Sequence, residues 1–128
     1  MSDLSARIFV EEIAELCHEV NRAYCQCMGD SSQVPWKQAP QWQKDSAIKG
    51  VQYHLDNPNS TPEDSHNSWL KEKEEQGWCY GLTKDPLNKT HPCYVQYALL
   101  PIQQRAKDYI FTAIVKTIER QIAGFRSG

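Results

Sequence analysis

Apolar residues recur three and four positions apart through the first part of the chain. From about Leu4 to Met28, Phe9, Ile13, Leu16, Val20, Tyr24 and Cys27 share one face at helical spacing, which predicts an amphipathic helix stopped by Gly29. Asp30 to Ala39 loses that rhythm, is polar apart from Trp36, contains Pro35 and reads as a loop. A second helix is expected over Pro40 to Leu55, with Trp42, Ala47 or Ile48, Val51 and Leu55 as its buried stripe and Gly50 as a weak point. Asp56-Asn57-Pro58-Asn59-Ser60 is a strong break.

The third helix announces its own start. Thr61 can cap, Pro62 suits the first helical position, and Asp64 stands where a capping-box acid belongs. His66, Trp69, Leu70 and Lys73 share one face, Lys71, Glu72, Glu74 and Glu75 the other, and Gly77 ends the helix. The period then changes. Trp78-Cys79-Tyr80 alternates, Lys84 to Lys89 is rich in turn residues, and His91 to Val95 is a second extended piece with Pro92 at an edge. These two pieces predict a short antiparallel hairpin. A last helix follows from Ile102 to about Ala123, with Ala106, Tyr109, Ile110, Ala113, Ile114, Thr117 and Ile118 as its stripe. The expected fold is therefore mostly helical α+β, about four helices packed on a small antiparallel β-hairpin or sheet, in a single domain over 1–128.

Composition adjusts this picture in three ways. The four Trp and six Tyr imply an aromatic core whose ring N–H and O–H groups need partners. A net charge of −2 argues against a general binder of nucleic acid polymers, although one local basic pocket remains compatible with it. The N-terminus lacks a basic region followed by an apolar run, and no apolar stretch approaches the roughly 20 residues that span a bilayer, so the chain is expected in the cytosol, without a membrane partner.

Five cysteines at irregular spacing, Cys17, Cys25, Cys27, Cys79 and Cys93, suggest reduced thiols rather than a disulfide framework. Cys25-Gln26-Cys27 with Cys17 and His18 hints at metal, but residues two apart on a helix point in different directions, and His91 with Cys93 does not complete a ligand set. Neither a metal nor a cofactor is expected. The chain also lacks a P-loop, G-x-G-x-x-G, G-x-S-x-G and H-E-x-x-H, so no enzymatic activity is expected either.

The segment GWCYGLTKDPLNKTHPCYVQY, Gly77 to Tyr97, together with Leu100-Pro101 and the Lys107-Asp108-Tyr109 run, resembles the ryanodine-receptor repeat, or RyR, domain. The resemblance centres on residues 61–120, with residues 1–60 as a helical N-terminal part. It implies helices packed on a small antiparallel sheet and, because some channel repeats are linked to adenine-nucleotide binding, an expected ligand site for an adenine-containing or other nucleotide-derived molecule in a free-standing bacterial or phage form. Two positions depart from the family pattern: Gln96 stands where Pro usually precedes the aromatic Tyr97, and Tyr94 replaces an aliphatic residue.

Trp78, Tyr80, Lys89, His91, Tyr97 and Arg105 are the candidate ligand-binding residues. Aromatic faces stack bases, and Lys and Arg hold phosphate. The structural alternative is that Trp78, Tyr80 and His91 only brace the hairpin. Two functions follow. One is a non-catalytic binder of a small nucleotide signal, such as a phage sponge that sequesters a defence signal in the host cytosol. The other is a protein-interaction or homo-oligomerisation module, for which Trp36 and Trp42 are the candidate surface, although either Trp could instead line a pocket.

Overall fold

The computed structural model describes residues 3–127, with side chains described from 9 to 122. Met1 and Ser2, the first residues of the N-terminus read above, lie outside the described residues. The chain is mostly helical α+β: α1 (Asp3–Cys27), α2 (Gln41–Asp56), α3 (Pro62–Glu75), two short strands β1 (Cys79–Tyr80) and β2 (Thr90–His91), and α4 (Ile102–Ser127). Single 3-10 turns at Trp36–Gln38 and Tyr97–Leu99 lead into α2 and α4. No helix among the described residues is long and apolar enough to cross a membrane.

Helices α1, α2 and α4 close around one core of Val10, Ile13, Ala14, Cys17, Val51 and Val115, with Phe9, Ile48, Leu55, Phe111, Ile114 and Ile118 packed against it. Burying an Ile or Val fully contributes about 1.5–3 kcal/mol. Gly50 is explained by this packing. A Cβ there would lie 3.0 Å from Phe111 Cζ, so the missing side chain lets the ring rest on the backbone of α2. A buried polar set seals the same region: His54 Nδ1 bonds Ser60 Oγ, and Thr112 Oγ1 lies 3.4 Å from His54 Nε2. Tyr24 Oη donates to the Gln103 carbonyl at 2.7 Å and ties α1 to α4.

The inward faces are rotated from those the periodicity predicts. On α1 the buried line is Val10, Ile13, Ala14 and Cys17, while Leu16 is 45% exposed. On α4, Thr112 and Val115 are buried and Tyr109 is 61% exposed. Ala113 and Thr117 are also exposed. Both helices carry apolar residues on more than one face, so spacing alone does not choose between faces. The Phe111–Gly50 contact and the Thr112–His54 bond decide the matter for α4.

The strands are parallel, not antiparallel: Cys79 pairs with Thr90 and Tyr80 with His91. The segment contains two reversals where the sequence suggests one. The chain first turns back after Tyr80, and Asp85 then bridges Thr90 in antiparallel fashion, with Asp85 Oδ1 accepting from the backbone N–H groups of Leu87 and Asn88 at 3.0 and 3.3 Å. The second reversal ends at Lys89, in the left-handed region at φ 55°, and returns the chain in the direction it started. The expected in-out alternation also fails, since Cys79 and Tyr80 are both exposed.

Candidate functional site

The site grows from the C-terminal end of α3. The helix starts with the full capping box: Asp64 N–H donates to Thr61 Oγ1 at 3.2 Å, and Thr61 N–H to Asp64 Oδ2 at 3.0 Å. That fixes the phase of the helix, so His66, Trp69 and Lys73, at i, i+3 and i+7, face the body of the protein. The helix ends in a Schellman motif. Gly77 N–H donates to the Glu74 carbonyl at 3.0 Å, and Trp78 N–H to the Lys73 carbonyl at 2.9 Å. Gly77 takes φ 84°, the left-handed conformation this closure requires. The motif normally brings two apolar side chains together at these positions. Here it brings Lys73 Nζ to 5.2 Å from the centre of the Trp78 ring.

Trp42, in the first turn of α2, completes the arrangement. Its ring centre lies 5.9 Å from that of Trp78, tilted by 47°. Lys73 Nζ is 5.0 Å from the Trp42 ring centre, so the ammonium faces two indoles. Such contacts contribute roughly 0.5–2 kcal/mol each. Lys73 is only 2% exposed. Its hydrogen bond to Gln76 Oε1 is long at 3.5 Å. Loss of solvation lowers its pKa, offset in part by Glu72.

These side chains line a cavity of about 290 Å³ between α1, α2, α3 and α4. From the strand segment, Trp78, Lys84, His91 and Cys93 reach it; from α4, Gln104, Lys107 and Asp108 do. Lys84 comes in from an exposed loop with Nζ 5.7 Å from the Trp42 ring centre. Desolvation and then Lys107 lower its pKa. Much of Lys84 remains exposed, so solvent screens that repulsion. A second cavity of about 210 Å³ opens on the other side of Gln104 and Lys107, beside Tyr24 and Met28.

His91 is held as a neutral imidazole. Cys93 N–H donates to His91 Nδ1 at 3.0 Å, which requires a lone pair there and leaves Nε2–H as the donor. Burial, then Lys84, Lys107 and Lys73, push its pKa down to about 4. Its ring stands edge-on to Trp69 at 4.9 Å between centres. His66 Nε2 donates to the Val95 carbonyl at 2.7 Å, and its Nδ1 faces Asp108 Oδ2 at 3.8 Å. Burial raises the Asp108 pKa to about 7 against the pull of Lys107, so this carboxyl changes charge near neutrality.

Of the six residues singled out in the sequence, Trp78 and His91 line the cavity. Tyr80 is 54% exposed on β1, away from it. Lys89 Nζ donates to the Gln76 carbonyl at 2.7 Å, so its charge caps the end of α3. The Tyr97 ring lies 6.0 Å from that of His66, outside the cavity lining. Arg105 is half-buried, with an Nε that has no hydrogen-bond partner among the described residues. Trp42, which the sequence offered for a pocket or an interface, lines the cavity; Lys73, Lys84, Lys107 and Asp108 line it too and were not among the candidate ligand residues. A lysine on the inward face of α3 was the available signal for Lys73.

Trp36 and Trp42, candidates for an exposed surface, are both half-buried. Trp36 packs edge-on to His18 at 5.6 Å. Gln96, which replaces a usual Pro, adopts φ −60°, the value Pro would impose, so this departure leaves the backbone path unchanged. Cys25 is buried and Cys27 exposed, the divergence expected two residues apart on a helix.

The strand segment, its Schellman entry and the α4 residues facing the cavity all lie within one stretch of sequence. The family model of the RyR domain matches residues 51–122, more than half of the chain, and the protein belongs to the RyR domain family.

Proposed function

We propose that this protein is a non-catalytic receptor for a small nucleotide-type ligand, bound in the cavity between Trp42, Trp78 and α4. The observation that carries the reading is Lys73: a buried ammonium with no carboxylate oxygen within 4.0 Å among the described residues, facing two indoles in a cavity that Lys84 and Lys107 also reach. A cavity combining aromatic faces with convergent cations suits a ligand with a flat apolar part and an anionic part. Trp42 and Trp78, 5.9 Å apart and tilted, leave no slot for a base between them, so a base stacks on one indole face. Capture without turnover lowers the free concentration of a signal, which is the sponge role; an adenine-containing or cyclic nucleotide defence signal is the ligand in that setting.

The test is thermal melting against a panel of adenine, cyclic and dinucleotide ligands. A ligand at 100 times its dissociation constant adds about 2.7 kcal/mol, several degrees for a domain of this size. A flat panel on folded protein would remove the receptor reading.

A second reading, an interaction or homo-oligomerisation module, is favoured by one observation. Ile102 and Tyr109, two turns apart on α4, are 69% and 61% exposed, and Leu99 just before them is 70% exposed. Light scattering distinguishes it: a concentration-independent monomer counts against self-association.

A further inference from the structure

Three ammonium groups, those of Lys73, Lys84 and Lys107, converge on the cavity without a close ion pair among the described residues. Among the described residues, no carboxylate oxygen lies within 4.0 Å of the ammonium of Lys73, Lys84 or Lys107. Three acids lie near them without pairing closely: Asp30 acts on Lys84 and Lys107 from the neighbouring cavity while accepting from the Ser32 N–H at 2.9 Å. Glu72 is engaged at the rim, accepting from Ser46 Oγ at 3.1 Å and from Gln76 Nε2 at 3.2 Å. Asp108 is held largely in its neutral form below neutrality by burial. Lys73 and Lys84 both lie within 6 Å of the centre of one ring, Trp42, so their charges share one wall. All three lysines bear on His91, whose free Nε2–H adds a neutral donor.

A buried cation calls for an anionic partner, and Lys73 is the buried one, with half-buried Lys107 and the more exposed Lys84 beside it. A single phosphodiester brings one negative charge and leaves most of this wall uncompensated. Two adjacent phosphates bring two or three charges, and separate ammonium points suit oxygens spread over two tetrahedral groups better than a fork-shaped guanidinium would.

We infer, resting on the receptor reading above, that Lys73, Lys84 and Lys107 form a subsite for two linked phosphate groups, so that the ligand is a diphosphate-bearing nucleotide rather than a cyclic monophosphate. Lys73 is the fixed member, held by its burial and by the Schellman closure; Lys84 and Lys107 close on the anion from the loop and from α4.

Isothermal titration of the full chain with inorganic phosphate, pyrophosphate, ADP, cyclic AMP and adenosine tests this. Pyrophosphate is expected to bind at least about tenfold tighter than phosphate, to compete with ADP, and to weaken about tenfold or more in Lys73→Met, the loss of one charge-assisted hydrogen bond. Lys107→Gln provides a second reading of the same loss should Lys73→Met fold poorly. Equal binding of phosphate and pyrophosphate, or pyrophosphate binding unchanged in both variants, would overturn the subsite. Nucleotide binding in which ADP, cyclic AMP and adenosine are equivalent also overturns it, yet leaves the receptor reading standing. Pyrophosphate binding without any nucleotide binding supports the subsite and removes the nucleotide reading.

Discussion

Trp78 donates its backbone N–H to the Lys73 carbonyl at 2.9 Å, and the same two residues meet again through their side chains, with Lys73 Nζ 5.2 Å from the indole centre. One local motif therefore makes both contacts. The spacing Lys73-x-x-x-Gly77-Trp78 ends the helix, and ending it in this way places a buried cation against an aromatic ring on a cavity wall. On the proposed reading, an incoming anion would complete this poorly paired charge.

Lys73→Met follows directly. Methionine keeps the length and packing of the stem but removes the desolvated charge. Relief of desolvation is offset by the loss of the two cation–π contacts, so the ligand-free variant should stay within about 1 kcal/mol of the parent in urea unfolding. A loss of more than about 1 kcal/mol would show that the ammonium holds the fold together. Trp78 behaves differently because what it buries is a large apolar ring rather than a charge. Trp78→Ala should cost about 3–5 kcal/mol, so Trp78→Phe is the variant that reports on the ring's role in binding.

Asp108 and the histidines pull the pH dependence of stability in opposite directions. The Asp108 pKa is raised to about 7 from the ordinary carboxyl value of 3.8, so its contribution is fully present below 3.8 and is lost as pH rises through about 7. The His91 pKa is lowered from 6.5 to about 4, so its contribution is present above 6.5 and is lost as pH falls towards 4. His54 and His66 are lowered too, chiefly by burial, and act in the same sense as His91. Asp108→Asn removes the opposing slope. The variant should gain most stability relative to the parent at pH 8, gain less at pH 5, and fall more steeply on acidification, as melting across pH 5 to 8 would reveal. Parallel profiles for parent and variant would mean that Asp108 does not titrate in this range.

Gly81 sits where the strand segment passes closest to its neighbour. A Cβ there would lie 2.5 Å from Thr90 Cβ, too near its backbone for the side chain to swing away. Gly81→Ala should therefore disturb the parallel pair and cost about 1–3 kcal/mol. Denaturant unfolding measures it, and a neutral result would mean that β1 and β2 are less closely apposed than described here.

The capping box is the simplest local prediction. Thr61→Ala removes the acceptor of the Asp64 N–H and should cost about 1 kcal/mol, read by denaturant unfolding. A change below about 0.3 kcal/mol would mean that the box is not formed in solution.

How far the sequence could be read depended on the range of the interactions involved. The start and stop of α3 were legible because Thr61, Asp64 and Gly77 act within a few residues of one another. The order of the elements was legible for the same reason. The inward faces of α1 and α4 were not. Leu16 and Tyr109 fit a helical stripe as well as Cys17 and Thr112 do, and only packing on α2 selects between them. The parallel pairing escaped because Asp85 binds its own turn and adds a second reversal. Trp78 and His91 carry the family pattern and do line the cavity. Their cationic neighbours come from three separate segments, and Lys89, the lysine nearest His91 in sequence, is used instead to cap α3.

The most direct test of the receptor reading compares the parent with Lys73→Met, melting each with and without the nucleotide that stabilises the parent most. The account predicts an upward shift of several degrees in the parent, and no shift in a variant whose own melting temperature stays close to the parent's. Equal shifts in both proteins would contradict it, because the ligand would then bind without the buried ammonium on which the reading rests.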